Sequence, residues 1–200
     1  MNQFLGGLAA GYGIAVPVGA IAVLIVLTAA RDSFRSGVAA GLGAATADLL
    51  YAGAAVVAGA TVAHHLRRFG RALHFAGGLV LALIAFRGLL GAARGRPEPP
   101  SSGDARRGAT YATFVGLTLV NPLTVVYFAS IVLDEQVSTA PPRAAAFVAG
   151  VAVASASWQL LLAATGAVTG RLLVERGRVA TALIGYGIVL VFAARQFQQV

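Results

Sequence analysis

Long uninterrupted apolar segments alternate with short polar loops along this 200-residue chain. A helix that crosses the hydrocarbon core of a bilayer needs about 20 predominantly apolar residues. Six segments of the chain meet or approach that length, and the third and sixth are the shortest. They cover residues 4–30, 37–63, 72–90, 109–133, 144–170 and 179–194. The pattern predicts an all-α membrane protein with six transmembrane helices.

A polar segment rich in proline and serine separates the six apolar segments into two groups of three. This segment, residues 91–108, contains Pro97, Pro99 and Pro100, and its composition predicts a flexible linker. Because three is an odd number, two copies of a three-span unit must lie in opposite orientations, as in many secondary transporters. We therefore expect two inverted three-helix repeats, residues 1–90 and 109–200, joined by a cytoplasmic linker.

Composition and charge agree with a membrane protein. The chain is 58% hydrophobic and 11% charged, whereas soluble domains carry about 25% charged residues. The net charge of +8 comes from arginines in the loops between apolar segments, so we interpret it as contact with the bilayer surface and expect no nucleic-acid partner. The chain has no cysteine, which excludes disulfides and a thiolate nucleophile, and we expect no metal and no cofactor.

The uneven distribution of arginine predicts an orientation in the membrane. Ten of the fifteen arginines lie in the first, third and fifth loops, at residues 31–35, 87–107 and 171–178. Cytoplasmic loops carry an excess of basic residues, which places these loops in the cytoplasm and both termini outside it. The N-terminus, Met1 to Phe4, has no basic stretch of the kind that begins a signal peptide. We expect a multi-pass protein of the bacterial inner membrane.

Each half of the chain carries a proline about thirteen residues into its first apolar segment, Pro17 in one and Pro122 in the other. Proline removes a backbone donor and disrupts the preceding helical turn. Gly19 follows the first proline, and Asn121 precedes the second. Matched helix breaks in two halves indicate a binding site near the bilayer midplane. A packing kink without a binding role is the alternative.

Asp48 lies near the middle of the second apolar segment. A charged aspartate at that depth costs about 2.5–3.5 kcal/mol on insertion scales. The hypothesis is that Asp48 carries a proton or binds a substrate amine, and the alternative is a structural, hydrogen-bonded aspartate. Tyr51 is three residues further on the same helical face, so its hydroxyl could form a hydrogen bond with Asp48. The small residues of 37–47 predict close packing that presses Asp48 against the bundle interior.

Polar side chains also occur near the centre of the fifth apolar segment. Ser155 and Gln159 are four residues apart and therefore share one helical face. Lining of a binding pocket and hydrogen bonding between helices remain equally open for this pair.

A homodimer is also possible, because small-residue faces let membrane helices approach closely.

Three of these stretches resemble the LysE/RhtB family of amino-acid exporters. The stretch Val16-Pro17-Val18-Gly19-Ala20 resembles that family's proline and glycine motif in the first helix. The small-residue run that ends in Asp48 is similar to its second-helix signature, and Asn121-Pro122 is similar to its fourth-helix motif. The resemblance implies export of amino acids or related small metabolites in exchange for protons, across a lipid bilayer.

The residues also bear on two other classes of function. An intramembrane enzyme needs a nucleophile with a base, or a metal cluster, and the chain has no cysteine and no histidine in the middle of a predicted span. We therefore expect that the protein is not an enzyme. A related membrane protein that exports metal ions, or a subunit without transport activity, stays open as the alternative.

Overall fold

The structure is a computed structural model that describes residues 2–17, 19–68, 70–93, 104–121, 124, 127, 128, 131, 140–172 and 175–198. Within these ranges every regular element is an α-helix. The helices are α1 (Gln3–Ala15), α2 (Ala20–Arg31), α3 (Phe34–Arg68), α4 (Gly70–Ala93), α5 (Asp104–Leu119), α6 (Pro141–Leu172) and α7 (Glu175–Phe197).

Four helices of the described chain are long and apolar enough to cross a membrane. These stretches are Phe34–Val57 in α3, Phe75–Ala92 in α4, Pro141–Leu172 in α6 and Val179–Phe197 in α7. The pair α1 and α2, bent by 78° at the break between them, makes a fifth span if it is counted as one. The protein is therefore a multi-pass membrane protein.

The predicted fourth span, residues 109–133, differs most from the structure. Helix α5 begins at Asp104 and ends at Leu119, because Val120 and Asn121 leave the helical path. Beyond that break Thr124, Tyr127, Phe128 and Ile131 are again helical, and Pro122 lies outside the described residues. Six spans in two inverted repeats therefore stay a prediction. Residues 94–103 of the predicted linker also lie outside the described ranges, whereas α4 and α5 include its two ends.

Helix α6 lies at the centre of the bundle and packs against α1, α2 and α3. Glycines make these contacts close. A Cβ atom added at Gly150 would overlap the carbonyl oxygen of Phe4 in α1, and one added at Gly166 would overlap that of Val26 in α2. Small residues of this kind let membrane helices approach to backbone contact.

Helix α3 uses its small-residue run in the same way. Ser33 caps its start, since the Oγ atom accepts a hydrogen bond of 3.1 Å from the backbone N–H of Ser36. Gly37 lies against Ala29 of α2, and Gly41 lies against the Gln159 backbone in α6. The close packing expected for residues 37–47 is confirmed, and it carries the next turn of α3 into the interior.

Helices α4 and α7 form an antiparallel pair beside this body. Gly78 lies against Ala193, and Gly88 lies under the ring of Tyr186. The hydroxyl of Tyr186 accepts a 2.7 Å hydrogen bond from Arg31 at the end of α2. The outer faces of both helices carry exposed apolar side chains such as Phe86, which suits contact with lipid.

The most extensive helix packing joins the two halves of the sequence to each other. Helices α1, α2 and α3 pack on α6, α3 also packs on α5, and α4 packs on α7. The two halves therefore interleave, and the boundary between them along the chain is not a boundary in space.

Candidate functional site

A cavity of about 550 Å³ opens where the break between α1 and α2 meets the end of α5. All seven helices contribute to its wall, and pockets of this size hold small organic ligands. Most of the wall is apolar, formed by large side chains from five of the helices. These are Ile14, Ile21, Val80, Leu81, Ile84, Leu117 and Phe192.

Asp48 is the carboxylate of this cavity and is almost completely buried, with 3% of its surface exposed. Its Oδ2 atom accepts a 2.7 Å hydrogen bond from the hydroxyl of Ser155. The bond joins α3 to α6, whose close approach is made by Gly41 beside Gln159. Asp48 therefore has one fixed polar partner and one side open to the cavity.

Several buried polar atoms around the cavity have no hydrogen-bond partner. Among the described residues, four buried side-chain oxygens or nitrogens are without a partner, and three of these belong to cavity residues. They are Thr118 Oγ1, Gln159 Oε1 and Gln196 Oε1. A buried polar atom left without a partner costs about 1–3 kcal/mol. A polar ligand or a water molecule that reached these atoms would remove this cost.

Two helix ends of opposite polarity also face the cavity. Helix α2 begins there, and the N–H groups of Ala20, Ile21 and Ala22 have no partner within the helix. Its first residue follows Gly19, which has no side chain to cap those groups. Helix α5 ends at the same cavity beside Asn121. The start of a helix carries partial positive charge and its end partial negative charge.

The structure brings most of the sequence-predicted site residues to this place. Those that line the cavity wall are Pro17, Gly19, Asp48, Asn121 and Gln159. Ser155 lies behind the wall and contributes through its hydrogen bond to Asp48. The sequence left two roles open for this pair, and both occur. Ser155 makes a hydrogen bond between helices, and Gln159 lines the pocket.

The prediction of a hydrogen bond between Tyr51 and Asp48 is wrong. The Tyr51 hydroxyl donates instead to the carbonyl oxygen of Leu119, at 2.5 Å. Its ring stacks on Phe128 with 6.0 Å between the centroids. The phenol is long enough to reach across to the neighbouring helix, so sharing a face of α3 with Asp48 does not bring its hydroxyl to the carboxylate. Tyr51 holds the end of α5 in place.

Five polar residues of the described cavity wall were not predicted from the sequence: Thr113, Thr118, Thr124, Arg195 and Gln196. The predicted sixth span ended at Ala194 because the next residue is charged. Helix α7 continues to Phe197, so Arg195 and Gln196 are helical residues of the wall. The one feature of the sequence that indicates Thr118 is its position three residues before Asn121.

Within the part of the chain that the structure describes, no group of three or more His, Asp or Glu side chains is placed to hold a metal ion.

Neither the curated proteins nor the solved structures gave a significant match. The family model described as LysE type translocator matches residues 13–198, which include every residue of the cavity wall. The chain belongs to the LysE type translocator family.

Proposed function

We propose that this small-molecule transporter exports amino acids or related small metabolites in exchange for protons. The single observation that carries the proposal is the cavity of about 550 Å³ in which the carboxylate of Asp48 meets two helix ends of opposite polarity. Broken helices that present such ends near the middle of a bundle are a recurring plan for substrate sites in secondary transporters.

The two ends of an amino acid have different partners in this cavity. Its ammonium group suits Asp48, the unpartnered Oε1 atom of Gln159 and the end of α5, since all three attract a cation. Its carboxylate suits the free N–H groups at the start of α2. A zwitterion therefore matches the polarity of both helix ends at once.

Asp48 supplies the proton coupling in this proposal. When its carboxyl group is ionised it binds the substrate ammonium, and when it takes a proton from the outside it releases that ammonium outward. The Ser155 hydroxyl serves both forms, because a hydroxyl donates to a carboxylate and also accepts from a carboxylic acid. The same side chain thus carries a proton inward and an amine outward, but never both together.

Purified protein in liposomes tests the proposal. With a panel of radiolabelled amino acids and a pH-sensitive dye, at least one substrate should move against its gradient when a pH gradient is applied, and protons should move the opposite way. A protonophore should abolish the accumulation. Transport of substrates without any proton movement would contradict proton exchange, and failure of the whole panel would contradict amino-acid export.

The orientation proposed from the arginine distribution has its own test. Reporter proteins that are active on only one side of the membrane can be fused within residues 94–103, between α4 and α5. The arginine excess of that region predicts a cytoplasmic location. A fusion that is active only in the periplasm would invert the orientation and place both termini in the cytoplasm.

A further inference from the structure

Among the described residues that line the cavity, Arg195 is the one cationic side chain. It belongs to the apolar stretch Val179–Phe197 of α7, which is long enough to cross a membrane. An arginine within such a stretch is costly unless it faces water or a polar partner. Arg195 is exposed and lines the cavity, where its guanidinium group suits a ligand of negative charge.

The depth of Asp48 in the bundle follows from the packing of α6 on α2. Gly166 lies against Val26 and Gly170 lies against Ala30, so the two helices run in the same direction. Ser155, which holds Asp48, precedes Gly166 by 11 residues. At a helical rise of 1.5 Å per residue, that is about 16 Å from the level of Val26, towards the start of α2.

The depth of Arg195 follows from the packing of α7 on the same helix. Gly185 lies against Leu27, and Arg195 comes 10 residues later, which is about 15 Å along the helix. The direction is again towards the start of α2, because Arg195 and Ala20 line the same cavity. Arg195 and the Asp48 side chain therefore lie at nearly the same level, on walls formed by α7 and α3.

The charged side chains of the cavity wall indicate which kind of ligand the cavity binds. Among the described residues, the lining contains one carboxylate, Asp48, and one guanidinium group, Arg195. Asp48 accepts its hydrogen bond from Ser155. A guanidinium group binds a carboxylate through two parallel hydrogen bonds. Large apolar side chains and a few uncharged polar ones form the remaining wall, and the described lining residues include no second carboxylate for a cationic side chain.

We propose that Arg195 binds the carboxylate of the exported molecule, so that the site selects net-neutral zwitterions with an apolar side chain over cationic amino acids and simple amines. This inference rests on the proposed export function and adds its specificity. Arg195 and the start of α2 then hold the acidic end of the substrate, while Asp48 and Gln159 hold the amine.

A pair of substrates that differ only in the carboxylate tests this assignment. Leucine and isoamylamine share the same side chain and amine, and lysine adds a second positive charge. In liposomes, wild-type protein should transport leucine with a lower KM than isoamylamine or lysine. Arg195→Gln should raise the KM for leucine about tenfold or more, leave that for isoamylamine unchanged, and thereby reduce the discrimination between them. Arg195→Lys keeps the positive charge but loses the paired N–H donors of the guanidinium group. Its KM for leucine should therefore fall between those of the wild type and Arg195→Gln.

The matched control is Arg143→Gln, an exposed arginine at the start of α6 that does not line the cavity, and it should behave as wild type. An equal KM for leucine in wild type and Arg195→Gln would overturn the assignment of Arg195 while leaving export intact. An equal rise for leucine and isoamylamine would show a structural role in place of carboxylate binding. If wild-type liposomes transport no amino acid at all, the proposed function fails and this inference fails with it.

Discussion

Asp48→Asn should abolish the ability of a pH gradient to concentrate substrate. Across a difference of two pH units, with the membrane potential held at zero, each exchanged proton supports about a hundredfold concentration ratio in the wild type. The variant should equilibrate its substrate to a ratio of one. The measurement is the steady-state distribution of a radiolabelled substrate in liposomes.

The physical reason is that an amide cannot take up and release a proton in this range, whereas it keeps the shape of the side chain. The amide oxygen of the variant can still accept the hydrogen bond of Ser155, which holds α3 to α6 in the wild type. The folded state should therefore survive, and exchange of labelled for unlabelled substrate at saturating concentration should continue. Loss of coupling with retained exchange distinguishes a proton carrier from a residue that only supports the fold.

The matched control is Glu98→Gln, which removes one acidic side chain in the linker predicted from the sequence. It should concentrate substrate as the wild type does. An Asp48→Asn protein that still reaches a concentration ratio well above one would remove Asp48 from the coupling mechanism.

Gly150→Ala should lower the melting temperature of the protein in detergent by between about 2 and 12 °C relative to the Gly53→Ala variant. The added Cβ atom would overlap the Phe4 carbonyl oxygen and lie 2.8 Å from the backbone nitrogen of Leu8, both in α1. Added volume in a packed interior costs about 1–3 kcal/mol, and in a chain of this length 1 kcal/mol corresponds to about 2–4 °C. Thermal unfolding followed by circular dichroism measures the change.

Gly53→Ala is the control for helix propensity, because nothing lies within 4 Å of a Cβ atom at that position of α3. Alanine is favoured over glycine in a helix interior by about 1 kcal/mol, so this variant should melt at the same temperature as the wild type or higher. If both substitutions raised the melting temperature equally, the close approach of α1 and α6 would not be a source of stability.

Hydropathy predicted four of the membrane-crossing helices well, because a long run of apolar residues predicts a membrane span wherever the helix lies in the bundle. The predicted segment 37–63 lies within α3, and the fifth predicted segment lies within α6. The position of the first break was also predictable, since Pro17 lacks the N–H group that would continue α1. Asp48 was identified because a carboxylate is rare at such a depth.

The partners of these residues were not predictable from spacing along one helix. Asp48 finds its donor 107 positions away in Ser155, and Tyr51 finds its acceptor in Leu119. Both contacts depend on how far α3 lies from α6 and α5, which is set by glycines on facing surfaces. Arg195 was placed outside its span because a hydropathy boundary stops at a charge, whereas the helix itself continues where the charge can face a cavity.

The interleaving of the two halves has a consequence for biogenesis. Translation delivers α1 to α4 to the bilayer before α6 exists, so Asp48 then has no Ser155 hydroxyl, and the glycine contacts of Gly37 and Gly41 are only partly made. We expect the helices of the nascent first half to associate only loosely until α6 is inserted, because the most extensive contacts of α1, α2 and α3 are with α6. We therefore expect folding of this transporter to finish only after α6 and α7 have entered the bilayer, late in the synthesis of the chain.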